Sequence, residues 1–280
     1  MKIIILTSSE IRHKSFRLYL SGYHNIKILR TYSEQGLILE DKIKKKITEG
    51  KNASLELDHL SLRRKAEHNF FNSYISNSKD NSKNKNCEKG YISTSICLKE
   101  IKDLNPDLIV VYGSSLLKGE ILNEYKNKII NVHLGLSPYY RGSGTNYFPF
   151  VNNEPEYAGA TFMYLNEGVD MGQIIHQIRS RIFPDDNFHQ IGNRLIKDMF
   201  QVYAQIILNI KKIKKINLSY NNNKKLLYKI KDFTPESLKK LYYNFNNEII
   251  SNYLKNKKER DKKVPLTKQD WIKEINYNHI

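Results

Sequence analysis

Cysteine is nearly absent from this 280-residue chain. Cys87 and Cys97 stand alone, with no CxxC pair and no His-Cys grouping. That excludes a disulfide framework and a structural zinc site, and it fits a reducing, cytoplasmic setting. No apolar run reaches the roughly 18 residues that a membrane span requires, so a membrane partner is not expected. The opening stretch Met1-Lys2-Ile3-Ile4-Ile5-Leu6 is too short for a signal peptide and lacks a small-residue cleavage site. It reads as a first buried strand. Acidic residues are also scarce, 29 against 46 Lys and Arg, for a net charge of +17. Such an excess favours polyanions. Here Lys is scattered among Asn and Ile, which reads as compositional bias with solvated side chains rather than a binding stripe.

What is present is a βα rhythm. Ile3–Leu6 is a continuous apolar run, as for a strand covered on both faces. Ser8-Ser9-Glu10 predicts a capped helix start, Phe16 and Leu20 share a helical face, and Ile26–Leu29 restarts a strand. That alternation implies a parallel sheet. Leu55, Leu62, Ala66, Phe70 and Tyr74 predict a helix over 54–75. His59 and His68 on it are nine apart and share no ligand face. Residues 76–90 read as a polar loop. Leu108–Tyr112 and Lys128–His133 are further strands, with a helix or turn near 116–124 between them. A short helix near 146–152, strands at 161–165 and 173–178, and a long helix at about 187–212 follow. Asp185-Asp186 is expected to cap that helix, and His176 and His189 to be structural. The remainder is Lys/Asn-rich, with a short strand at Leu226–Tyr228 and a helix capped by Thr234 with Pro235 in its first turn. The expected class is α/β: an open, mostly parallel Rossmann-like sheet with flanking helices. Residues 1–212 form the catalytic domain, and 213–280 a small, mostly helical C-terminal extension.

Three residues carry the chemistry. Asn131 and His133 alternate with Val132, so they project to one side of their strand. They lie at its carboxyl end, where open parallel sheets bind ligands. Asp170 lies between Gly168 and Gly172, in a turn where backbone can approach a ligand. An amide, an imidazole and a carboxylate together can stabilise an oxyanion and move a proton during acyl transfer. Taken singly, each reads as a cap, a core residue or a turn former. The stretch from Arg141 to Thr145 looks like a phosphate loop but lacks the Gly-Lys-Ser/Thr ending.

Asn131-Val132-His133, then Gly135-Leu136-Ser137-Pro138-Tyr139-Tyr140-Arg141-Gly142, then Asn166-Glu167-Gly168-Val169-Asp170-Met171-Gly172 resemble three ordered motifs of one family. These are the N-[IV]-H strand end, the S-L-L-P-x-[YWF]-[KR]-G loop and the D-x-G-x-D-x-G loop of the formyltransferases that use 10-formyltetrahydrofolate. The strand Pro106–Val111 matches too, and the resemblance covers roughly 101–205. Gly135, Ser137 and Asn166 depart from the pattern, which implies a different acceptor pocket around unchanged chemistry. The resemblance implies attack by a substrate amine on the formyl carbon, with protonated His133 and the Asn131 amide stabilising the oxyanion. Asp170 would hold His133 charged and help take the ammonium proton. The pteridine would lie against Tyr112, Gly113, Ser114, Ser115 and Leu116 on one side, and Leu165, Gly168 and Val169 on the other. Ser137, Pro138, Tyr139, Arg141 and Gly142 would line the acceptor pocket. No metal is implied.

The C-terminal part narrows the amine. A methionyl-tRNA formyltransferase would carry a C-terminal β-barrel of roughly a hundred residues, which a helical tail does not suit. A nucleotide-linked amino sugar is the expected acceptor, with tRNA as the alternative and a homodimer left open. Two other readings stand beside it: an RNA-binding protein on a degenerate formyltransferase fold, and an enzyme that hydrolyses the formyl-folate without an acceptor.

Overall fold

The computed structural model describes residues 1–35, 38–50, 52–168, 170–216 and 226–273, and only the backbone of 38–40 and 42. The chain opens with β1 (Lys2–Ser8), α1 (Ile11–Ser21), β2 (Lys27–Glu34), α2 (Ile38–Thr48) and α3 (Ser54–Asn77). Next come β3 (Asn84–Cys87), α4 (Ser95–Leu104), β4 (Leu108–Tyr112), α5 (Glu120–Glu124) and β5 (Ile129–His133). They are followed by β6 (Tyr140–Gly142), α6 (Phe148–Val151), β7 (Gly159–Tyr164), β8 (Ile174–Arg179) and α7 (Phe188–Leu208). The C-terminal part holds β9 (Leu226–Tyr228), α8 (Pro235–Asn246), α9 (Ile249–Lys255) and α10 (Lys257–Lys262).

Seven strands make one open sheet in the order β3-β2-β1-β4-β5-β7-β8. The pairs from β3 to β5 are parallel, and β7 and β8 join antiparallel. The class read from the sequence is the class observed. Ile3–Leu6 and Leu108–Tyr112 are buried throughout because helices cover both faces. On one face α1, α3 and α7 bring in Phe16, Phe71, Met199, Phe200 and Tyr203. On the other, α4 and α5 bring in Leu98, Ile101 and Ile121. Each such side chain is worth roughly 1.5–3 kcal/mol when buried. The Tyr203 hydroxyl donates to the Ile130 carbonyl at 2.6 Å and accepts the Val111 N–H at 3.2 Å. It ties α7 to the ends of β4 and β5.

Several local expectations are corrected. The polar stretch 76–90 ends in β3, an edge strand parallel to β2. Its Asn and Lys side chains find polar partners, Ser33 donating to Asn84 and Lys85 reaching Glu100, which apolar periodicity does not reveal. Helix α1 starts from Glu10 with no side-chain cap. Helix α7 is capped by Asn187, in a reciprocal box with Gln190. Asp186 instead pairs with Arg194 at 2.6 Å. The final apolar face is split between α8 and α9, because Glu248 is left-handed at φ 60°. Thr234 caps α8 as expected.

The described residues beyond 213 pack onto what precedes them. Leu238, Leu241, Ile249, Ile250 and Tyr253 share a core with Leu136, Tyr139, Tyr140, Phe148 and Phe150. Strand β9 pairs in parallel with β6. Further on, Thr267 and Gln269 hydrogen-bond along the edge strand β8.

Candidate active site

Pairing sets Asn131 of β5 beside Val111 of β4, and His133 beside Thr161 of β7. Both side chains line a cavity of about 630 Å³ at the carboxyl end of the central strands. The His133 side chain is 8% exposed, and its Nδ1 stands 3.2 Å from Asp170 Oδ2. Its Nε2 stands 3.0 Å from the Tyr140 carbonyl oxygen. A carbonyl only accepts, so Nε2–H is the donor in this contact, and Nδ1 faces the carboxylate. Asp170 adopts φ 50°, a conformation Asp tolerates, and its Oδ2 also accepts the Gly142 N–H at 2.8 Å. The Asn131 amide has no hydrogen-bond partner among the described residues. Sequence reading placed these three residues at one sheet rim, and the structure brings them to one cavity.

Two glycines enforce this geometry. Gly142 has φ 89°, and a Cβ there would stand 2.1 Å from the Tyr228 carbonyl oxygen. Gly142→Ala is expected to break the β6–β9 pairing and cost more than about 1 kcal/mol, read as a lower urea midpoint. Gly135, where the family pattern has Ser, has no room for a side chain. A Cβ would meet Thr145 Cβ at 2.6 Å and His133 Nε2 at 2.7 Å. Thr145 fills that space and donates to the Leu134 carbonyl at 2.5 Å, which gives this departure a physical reason.

One wall holds Tyr112, Gly113, Ser114, Ser115 and Leu116, and another holds Leu165 and Gly168. Val169 lies outside the described residues. Buried Glu34 fixes the first wall. It accepts the Ser115 N–H at 2.7 Å, the Ser115 hydroxyl at 2.9 Å and the Gly90 N–H at 2.6 Å. Tyr112 is 2% exposed and its hydroxyl has no hydrogen-bond partner among the described residues.

Of the loop residues expected at the acceptor, Gly142 alone lines the cavity. Ser137, Pro138, Tyr139 and Arg141 do not. Ser137 is buried, its N–H bonding Thr161 Oγ1 at 3.0 Å and its carbonyl accepting from Gln177 at 2.7 Å. Tyr139 is in the core shared with α8 and α9. The loop turns inward because that second core needs its apolar side chains. Arg141 has its Nε buried on β6.

The sequence reading missed a third wall, made by α1, α3, α7 and the segment after β9. Arg12 donates to both Glu67 oxygens at 3.0 and 2.9 Å, and Arg63 Nε donates to Glu67 at 2.8 Å. Glu10 also pairs with Arg12. Burial alone would push the Glu67 carboxyl up, but the two guanidiniums win and hold it below its ordinary range. His13, His59 and His189 lie nearby on the same wall. Burial, then His189, then Arg63 push His59 down to about 3. Burial and Arg63 push His189 down to about 4. Burial, Arg12 and Arg63 push His13 well down. The available signal was His59, Arg63 and Glu67 recurring every fourth residue, a polar stripe on one face of α3. Among the described residues, no grouping of three His, Cys, Asp or Glu could hold a metal ion, and no helix is long and apolar enough to cross a membrane.

A catalytic-type trio at the carboxyl rim of an open α/β sheet defines the class of site. The family model described as formyl transferase matches residues 28–207, and the protein belongs to that family. The chain is 39% identical over 120 residues to a methionyl-tRNA formyltransferase of Desulforamulus reducens, covering 41% of this chain and 37% of that protein. It is 33% identical over 158 residues to the methionyl-tRNA formyltransferase of Fusobacterium nucleatum, covering 55% and 49%. The match thus spans less than half the length of either relative. A phosphoribosylglycinamide formyltransferase from Anaplasma phagocytophilum shares the fold. Its TM-score is 0.54 at 16% identity, covering 82% of this chain and 98% of that one.

Proposed function

We propose that this protein transfers the formyl group of 10-formyltetrahydrofolate to a primary amine, and that Asn131, His133 and Asp170 are its catalytic residues. One observation carries the reading: the 3.2 Å contact of His133 with Asp170, with the Asn131 amide facing the same cavity. The donor supplies an activated formyl carbon. Attack by the amine nitrogen forms the C–N bond and shifts the carbonyl pair onto oxygen. The unpartnered Asn131 amide donates to that oxyanion. The His133 ring adds positive charge, and its Nε2–H reaches the oxyanion on leaving the Tyr140 carbonyl. Asp170 takes the ammonium proton. As the oxyanion collapses to the amide and the bond from the formyl carbon to the donor nitrogen breaks, a proton from the Asp170–His133 pair goes to that nitrogen and tetrahydrofolate leaves.

In this reading the walls at Tyr112–Leu116 and at Leu165 and Gly168 hold the folate ring. The peptide groups that Glu34 fixes, and the unpartnered Tyr112 hydroxyl, suit a flat ring rich in donors and acceptors. Residues 1–212 carry the chemistry, and 213–280 complete the acceptor side through Lys229, Ile230 and Phe233, which line the cavity. The acceptor we favour is a nucleotide-linked amino sugar. The described residues after β9 form the helices α8, α9 and α10 rather than strands of a barrel, which supports this reading. The printed names of the matched relatives favour methionyl-tRNA as a second reading.

The test is release of tetrahydrofolate from 10-formyltetrahydrofolate with amino sugar nucleotides, with methionyl-tRNA, and with no amine. Amine-dependent release is expected, and Asn131→Ala is expected to lower kcat about 10²–10³-fold by removing an oxyanion donor. Release that ignores the amine, or that survives Asn131→Ala, contradicts the proposal.

A further inference from the structure

The wall formed by α1, α3, α7 and the segment after β9 has no part in the steps above, yet it borders the same cavity. Its cations are already matched inside the protein. Arg12 and Arg63 converge on Glu67, and Glu10 stands against Arg12. Around them lie rings. His59 is surrounded by Tyr147, Phe188, His189, Phe233 and Tyr242 at centroid distances of 5.1–6.0 Å. His59 and His189 are uncharged near neutral pH, for the reasons given above. A phosphate on this wall would face Glu67 and Glu10 with no cation left to match it.

The wall also carries a neutral polar atom in need of a partner. Asn146 borders the cavity, and its buried Oδ1 has no hydrogen-bond partner among the described residues. A sugar hydroxyl can donate to it, while aromatic edges and faces cover the apolar side of a ring. Lys229 differs from the other cations of the cavity. It is exposed at the rim, directly after β9; the Asp232 carboxylate accepts its backbone N–H at 2.7 Å, and its ammonium makes no ion pair among the described residues.

We propose that the His59 wall seats the amine-bearing ring of the acceptor as an uncharged, hydroxylated ring, and that a phosphate-linked portion of the acceptor leaves the cavity past Lys229. The inference rests on the formyl-transfer reading and adds the orientation of the acceptor. It also makes Phe233 and Lys229 determinants of specificity for two separate parts of one molecule.

The experiment uses hexoses with a primary amine at C2, C3 or C4, each as its UDP conjugate and as its methyl glycoside, with saturating 10-formyltetrahydrofolate. Glycinamide ribonucleotide and methionyl-tRNA serve as comparison amines. One amine position is expected to be formylated in both forms at similar kcat, with KM about tenfold lower for the conjugate, the scale of one charge-assisted contact. Lys229→Gln should remove most of that KM advantage, as should raising the salt concentration. Phe233→Ala and the gentler Phe233→Leu should raise KM for both forms while largely retaining kcat. A KM advantage that survives Lys229→Gln overturns the inference. So does an unchanged KM in both Phe233 variants, or formylation of glycinamide ribonucleotide or methionyl-tRNA with no hexosamine turned over. In that last case formyl transfer stands and the orientation falls. If no amine at all is formylated, both fall together.

Discussion

His133→Ala is expected to lower kcat at least about 10³-fold, because general acid–base and oxyanion roles are each worth about 10²–10⁴. At rest the ring's two nitrogens face Asp170 and the Tyr140 carbonyl, and the variant loses both contacts. Asp170→Asn removes the charge that favours protonation at Nδ1. It leaves an amide oxygen able to accept the Gly142 N–H that Asp170 accepts now. Its expected loss is about 10²-fold in kcat, with the loop in place and donor affinity near normal. The double variant should be little worse than His133→Ala alone, since residues that act as a unit are not additive. Steady-state kinetics with saturating donor checks all three. A His133→Ala protein within tenfold of the parent would remove the assigned role.

The second large effect is on stability. Glu67→Ala leaves the Arg12 guanidinium, whose side chain is 13% exposed, without its two-oxygen partner 55 residues away. Removing one member of a buried pair costs about 3–5 kcal/mol. Glu10 remains beside Arg12, so the expected loss lies at the lower end, about 3 kcal/mol. Urea unfolding reads it, and a loss under about 1 kcal/mol contradicts it. Acid should reveal the same wall in two stages. The buried histidines have lowered folded values, so the unfolded chain binds protons first as pH falls below about 6.5. Each then lowers stability steadily with falling pH until it titrates in the folded state, near 4 for His189 and 3 for His59. Glu67 has a lowered value too. Its contribution is full above its ordinary value near 4.5 and is lost as pH falls through the folded value. Stability should therefore begin to fall near pH 6.5 and fall further below pH 4.5. His59→Phe should flatten the first stage.

What the sequence makes legible is what is written locally. β1 and β4 are built on continuous apolar runs, and Asn131, His133 and Asp170 each sit in or beside a short turn motif. Their meeting could be argued because alternation on a strand and a glycine-flanked turn are short-range facts. The wall around His59 depends on pairings far apart in sequence, such as Arg12 with Glu67 and Tyr147 with Phe233. No local period announces these. Ser137 and Tyr139 sat in a motif assigned to the acceptor, but the apolar faces of α8 and α9 draw that loop into a second core. Strand β3 escaped notice because an edge strand can be built from Asn and Lys when each side chain finds a polar partner. The break at Glu248 is a single left-handed residue, which apolar spacing does not register.

The central proposal is tested most directly by following the transferred carbon. The enzyme is given 10-formyltetrahydrofolate labelled with ¹³C in the formyl group, together with an amino sugar nucleotide, and the label is traced by NMR. Formyl transfer requires the label to appear in an N-formyl amide of the sugar, in step with tetrahydrofolate and only while His133 is present. Label found in free formate, with the amine unchanged, would contradict it.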